Sequence, residues 1–192
     1  MDMYASPTFI GYSLWLVGGE PARSKFQTII SDLSIKYNTP HFEPHVTLLA
    51  GVGEEGGEDE IVEKTRGLAS KLEPVLSRVE CCSSKDLFFQ SVFAVLKKED
   101  ALMSAHTAAR VAFGQDPEGV LTYMPHLSLI YGDLAPSVRE DIIQTVEENV
   151  KGTELCLKFI EVWCTKGHVS EWYKAATIPL QVEGEGKTSS VP

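Results

Sequence analysis

The chain has 192 residues, 43% of them apolar and 23% charged, which is the make-up of an ordinary globular protein able to build one sizeable core. Its formal charge of −10 argues against a long polyanionic partner, because nucleic-acid affinity rests on Lys and Arg neutralising phosphates. No apolar run approaches the ~20 residues that span a bilayer, and the opening "MDMYASPTFIGYSLWLVGG" has no basic n-region, so neither membrane anchoring nor a signal peptide is expected.

The first strand is predicted at "YSLWLVG" (12–18), after which Pro21 opens a helical pattern with Phe26, Ile29, Ile30 and Leu33 on one face, ending near Tyr37. "HVTLLAGV" (45–52) reads as the next strand, "GEEGGEDE" (53–60) as a solvated acidic loop or helix start, and 61–72 as a helix. Two strands follow, "PVLSRVECCSS" (74–84) and the aromatic "LFFQSVFAVLKK" (87–98), then a helix over 99–113 and a loop over 114–119. "PHLSLIYG" (125–132) reads as a strand, and Pro136 and Ser137 start a helix in "APSVREDIIQTVEENV" (135–150) that runs to Gly152. The chain closes with strands at 154–166 and 171–182 joined by "GHVS", and residues 183–192 read as a disordered tail behind a single domain over 1–182. The four cysteines, Cys81, Cys82, Cys156 and Cys164, show no CxxC spacing, so reduced thiols are expected, with Cys156 and Cys164 as small core residues.

The order βαβαβ then βαβαββ is a weak internal symmetry. It predicts an α+β fold of two pseudo-symmetric lobes, not contiguous in sequence, whose antiparallel sheets face a central cleft with helices outside. Neither a G-x-G-x-x-G nor a G-x-x-x-x-G-K loop is present.

Each half carries one copy of a pentapeptide, "PHVTL" at 44–48 and "PHLSL" at 125–129. Residues i and i+2 of a strand share a face, so His45 sits beside Thr47 and His126 beside Ser128, while Val46, Leu48, Leu127 and Leu129 face the other way. The short form H-x-[ST] means little, since "HVS" at 168–170 matches it in what reads as a hairpin turn. With proline and apolar flanks the full pattern arises by composition roughly once per thousand histidines. Either histidine alone reads as readily as a packed core side chain, but a matched pair reads as chemistry. Two imidazoles on opposite sides of a substrate supply a general base and a general acid near neutral pH, and the hydroxyls beside them can donate to phosphate oxygens. That combination opens a phosphodiester in line without metal.

These residues resemble the two-histidine (2H) phosphoesterases, whose signature is a repeated H-x-[ST]-x in two facing α+β lobes. "HFEPHVTL", "YMPHLSLIYGDL", "LFFQSVF" and "CTKGHVSEWYKAATIPL" are similar to the plant-type cyclic phosphodiesterase branch, over about residues 10–182. The resemblance implies hydrolysis of ADP-ribose 1″,2″-cyclic phosphate to ADP-ribose 1″-phosphate, and of nucleoside 2′,3′-cyclic phosphates to 2′-phosphates. It implies a place in clearing by-products of tRNA splicing, in the cytoplasm. His45 and His126 are then the catalytic pair, Thr47 and Ser128 the phosphate-binding hydroxyls. Tyr131, Phe89, Trp172 and Lys166 are further substrate-contact candidates, each equally readable as packing or a solvated charge. Tyr131 falls on the wrong face of an ideal strand and reaches the site only if the strand ends or bends there. Phe89 is expected to line the cleft and share a face with Ser91, leaving Phe88 to the core. No cofactor, metal, membrane or long nucleic acid is expected, and the partner is a small cyclic-phosphate nucleotide bound by a monomer. The competing readings are an RNA-end enzyme (2′–5′ RNA ligase-like, or a 3′-end exonuclease) and a non-catalytic nucleotide-binding module.

Overall fold

A computed structural model describes residues 11–53 and 55–181, so the expected tail at 183–192 lies outside the described residues. The elements run β1 (Tyr12–Gly18), α1 (Ala22–Tyr37), β2 (Val46–Val52), α2 (Gly57–Ala69) and β3 (Val75–Ser84). They continue with β4 (Val92–Leu96), α3 (Asp100–Ala112), β5 (His126–Ile130), α4 (Pro136–Val150), β6 (Glu154–Cys164) and β7 (Tyr173–Pro179). The fold is therefore α+β, with the predicted order of elements.

All strand pairs are antiparallel, in the order β1-β2-β5-β4-β3-β6-β7 with a further β1–β6 pairing. The third strand of each half crosses over to pair with the first strand of the other: β3 lies on β4, and β6 on β1. This groups β2-β1-β6-β7 on one side and β5-β4-β3 on the other. The first four residues of β6 pair with β3 and its later part with β1, so one strand belongs to both groups. The second seam is a single pairing, Val46 with Leu127.

Each helix buries one stripe against the strands, as its spacing dictates: Phe26, Ile29, Ile30 and Leu33 in α1, and Leu102, Ala105 and Ala109 in α3. α1 ends at Asn38 in the left-handed conformation (φ 51°), where its N–H caps the last carbonyls. The last leucines of the two pentapeptides, Leu48 and Leu129, are fully buried.

Several boundaries differ from expectation for local reasons. α2 spans Gly57–Ala69 rather than the expected 61–72, because Glu58, Asp59 and Glu60 form its first turn, where the helix dipole favours them. Residues 87–91 are not strand: Phe88–Gln90 forms a 3-10 turn before β4. The "HVS" copy is also a 3-10 turn, Val169–Glu171, held by a capping box between His168 and Glu171. The four thiols are free; Cys164 is buried, but Cys156 is half-buried and not a core residue.

Candidate active site

The Val46–Leu127 pairing matches the middle residue of one H-x-[ST] with the middle residue of the other. In an antiparallel pair the neighbours of matched residues oppose each other, so His45 is carried toward Ser128 and Thr47 toward His126. The repeat is thus read across a pseudo-two-fold axis. All four side chains line one cleft of about 170 Å³, together with Ser13, Trp15, Ala50, Phe89, Gln90, Tyr131, Thr165 and Trp172.

Both imidazoles are fixed by the same local device. His45 Nδ1 lies 2.6 Å from Glu43 O and His126 Nδ1 lies 2.8 Å from Met124 O, in each case the carbonyl two residues upstream. The intervening Pro44 and Pro125 lock their own φ and push the preceding residue into extended backbone, which presents that carbonyl to the ring. A carbonyl only accepts, so Nδ1 carries the hydrogen in both rings and Nε2 holds the lone pair. Each Nε2 meets one neutral donor at long range: Tyr131 OH 3.4 Å from His45, and the Gln90 amide 3.4 Å from His126.

Burial favours the neutral ring. His45 stacks on Trp15 with centroids 3.5 Å apart and planes at 4°, and desolvation lowers its pKa to about 3. His126 packs edge-on against Phe93, and desolvation lowers its pKa too, with the Lys85 charge adding to the effect. Met124 O opposes the shift at His126, as Glu43 O does at His45. The Tyr131 phenol is pushed up by burial and stays protonated. Ser128 Oγ donates to Phe89 O at 3.0 Å, so offering its hydrogen to a phosphate requires exchanging that partner. Thr47 is half-buried in the cleft wall, and its backbone carbonyl accepts from Tyr123 OH at 2.9 Å.

The structure thus brings together His45, His126, Thr47, Ser128, Tyr131, Phe89 and Trp172. Tyr131 reaches the cleft because β5 stops at Ile130 and Gly132 takes φ +147°. Phe89 faces the cleft, stacked on Trp172 at 5.6 Å, and Phe88 is buried, though from a turn and not from a strand. Ser91 does not share the face of Phe89: it is fully buried and not among the lining residues. Lys166 lies outside the lining, with its ammonium over the Tyr12 ring at 5.6 Å. Sequence reasoning misses Trp15 and Gln90. The i, i+2 spacing of Ser13 and Trp15 is a usable signal, masked because β1 is apolar on both faces. Among the described residues no three His, Cys, Asp or Glu side chains converge as a metal site.

Residues 10–180 match the family described as cyclic phosphodiesterase-like protein. The chain belongs to that family. It is an enzyme of the two-histidine phosphoesterase kind, in the plant-type cyclic phosphodiesterase branch. A cyclic phosphodiesterase of Arabidopsis thaliana is 28% identical over 130 residues, 68% of this chain and 70% of the relative. A 2′,3′-cyclic-nucleotide 3′-phosphodiesterase of Kluyveromyces lactis is 28% identical along 204 aligned residues, 85% of this chain and 95% of the relative. Two solved structures share the fold. TT0787 of Thermus thermophilus has TM-score 0.58 at 16% identity, over 90% of this chain and 99% of its own. E. coli LigT, solved with 3′-AMP, has TM-score 0.56 at 11% identity, over 92% and 100%. No helix among the described residues of this cyclic phosphodiesterase-like chain is long and apolar enough to cross a membrane.

Proposed function

We propose that the protein opens small cyclic phosphodiesters by paired-histidine acid–base catalysis without metal: ADP-ribose 1″,2″-cyclic phosphate to ADP-ribose 1″-phosphate, and nucleoside 2′,3′-cyclic phosphates to 2′-phosphates. The observation that carries the reading is the pair of Nε2 lone pairs lining one small cleft, each backed by a locked Nδ1–H. In this reading one Nε2 takes a proton from water as its oxygen attacks phosphorus. The other ring, entering protonated, gives its proton to the departing ribose oxygen as the P–O bond breaks. Water loses one proton and the leaving oxygen gains one, so the two rings exchange roles and reset through solvent. Thr47 and Ser128 donate to the non-bridging oxygens, where charge grows in the transition state. Phe89 and Trp172, stacked on each other, offer a flat apolar face for a base. The names of the Arabidopsis and Kluyveromyces relatives support the reaction class. The by-product of tRNA splicing and a cytoplasmic setting go with the ADP-ribose substrate.

The test is a panel of cyclic phosphates followed by phosphorus NMR, which identifies both the ester opened and the bond broken. His45→Ala and His126→Ala should each lower kcat/KM by about 10²–10⁴-fold while keeping a cooperative unfolding transition. EDTA should leave the rate unchanged. Near wild-type turnover by either variant, or loss of activity on chelation, would overturn the mechanism.

A further inference from the structure

The reacting cleft, at about 170 Å³, falls below the ~300–1,000 Å³ usual for a whole small-molecule ligand, so part of any nucleotide must extend past it. Two larger cavities adjoin it. One, of about 420 Å³, shares Trp15 and Trp172 with the cleft and carries the Glu43 carboxylate in an aromatic wall. The other, of about 340 Å³, shares Thr47, Gln90 and His126 and carries Lys85 and Arg110. No carboxylate side chain is among the described residues lining that second cavity. On a chain of net charge −10, a groove of this sign beside the catalytic pair needs a cause.

The neighbouring acids are turned to other partners. Asp86, next to Lys85 in sequence, pairs with Arg139 at 2.7 Å. Asp116 accepts the Glu118 N–H on its carboxylate, 2.9 Å away, and offers Arg110 Nε only its neutral backbone carbonyl. Arg110 lies against Gly119, where a Cβ would collide with the guanidinium, so its direction is set by the turn Pro117–Thr122. Lys85 is placed by its own N–H, which donates to Gln90 O at 2.9 Å and ties it to the turn that aims Gln90 at His126. Its charge reaches the cleft, since it helps hold His126 neutral.

We infer that the Lys85–Arg110 groove is a subsite for a second phosphoryl group of a small nucleotide substrate, a 5′-phosphate ester or a pyrophosphate, bound while the cyclic phosphate lies between the histidines. Among its described lining residues the aromatic cavity has no Lys or Arg to hold such an anion, and its carboxylate, Glu43, is already paired with Arg23. The basic groove therefore sets which cyclic phosphate is preferred. This rests on the cyclic phosphodiesterase reading above and adds a specificity that the histidine pair does not supply.

The experiment compares adenosine 2′,3′-cyclic phosphate with its 5′-phosphorylated form and with ADP-ribose 1″,2″-cyclic phosphate, in the full chain and in Lys85→Ala, Lys85→Glu and Lys85→Arg. Lys85 is exposed, so these changes spare the core. The wild type should favour the substrates with the extra phosphoryl group through KM. That preference should shrink about fivefold in Lys85→Ala, reverse in Lys85→Glu and return in Lys85→Arg. Which of the two phosphorylated substrates gains more identifies the source of the anion. A preference unchanged across the variants overturns the subsite while leaving the cyclic phosphodiesterase reading intact. Failure of the wild type to open any of the three overturns that reading first. A Lys85 dependence confined to a short RNA ending in a 2′,3′-cyclic phosphate overturns the assignment to a small nucleotide.

Discussion

A histidine two residues beyond a carbonyl, with proline between them, is a small device for fixing a tautomer. It appears twice here, at Glu43-Pro44-His45 and Met124-Pro125-His126, and it turns each Nε2 lone pair to the cleft, where only a long contact to Tyr131 or Gln90 meets it. The pH dependence follows from the burial that accompanies it. Both pKa values lie below the ordinary imidazole value, His45 at about 3, so in free enzyme the singly protonated pair declines as pH rises through the higher of the two. The profile of kcat/KM should therefore be bell-shaped with its alkaline limb beginning below pH 6.5, the reference value for histidine. A bound phosphate anion offsets the cost of charging a buried imidazole. The profile of kcat should accordingly lie at higher pH than that of kcat/KM. Rates from pH 4 to 9 at saturating and limiting substrate check both, and an alkaline limb of kcat/KM above 7 would contradict the burial argument.

At the scale of elements, the end of β5 decides whether Tyr131 belongs to the site. An ideal strand sends it away from His126 and Ser128. The strand instead stops at Ile130, and Gly132, at φ +147°, donates its N–H to Phe88 O at 2.9 Å. A Cβ at Gly132 would stand 3.1 Å from Thr39 Cγ2 in a conformation L-residues rarely adopt. Gly132→Ala should cost about 1–3 kcal/mol by denaturant unfolding and lower kcat/KM by pulling Tyr131 from His45. Stability and activity equal to wild type would show that the turn adapts freely. The same turn marks what local sequence reading reaches. The helices, and β1, β2 and β5, follow from periodicity and proline, and the proline-framed motif locates the four central side chains. "LFFQS" has strand composition, yet residues 88–90 turn because Phe88 is drawn into the core while Phe89 stacks on Trp172. Trp15 stands beside the motif because it pairs with Thr47 of β2, and Gln90 lies in the turn between the paired strands β3 and β4. The first is masked by a strand apolar on both faces, and the second by strand-like composition in a segment that turns.

Across the whole molecule, three of the five histidines have pKa values lowered, with desolvation the largest cause: His45 and His106, which are buried, and the half-buried His126. His106 is as tightly held as the two cleft rings, 2.6 Å from Leu48 O and stacked on Tyr123. Above pH 6.5 these rings are neutral whether the chain is folded or not, so they contribute no pH dependence there. As pH falls below that value the unfolded chain takes up protons that the folded chain refuses, and stability drops. Each ring still neutral in the folded state steepens the loss by about 1.4 kcal/mol per pH unit, and for His45 the loss continues toward about pH 3. The formal charge of −10 works in the opposite sense, because acidification relieves repulsion among surface carboxylates. A variant separates the two, since it shares the surface charge and lacks one ring. His45→Gln should be less stable than wild type at pH 7.5, where its packing on Trp15 is lost, and should lose stability more slowly on going to pH 5. Denaturant unfolding at the two pH values measures the difference in that loss, expected at about 2 kcal/mol in total because the full slope of about 1.4 kcal/mol per pH unit applies only below pH 6.5. Parallel slopes would mean that His45 is protonated in the folded enzyme well above pH 5, and with it the account of a neutral resting pair would fall.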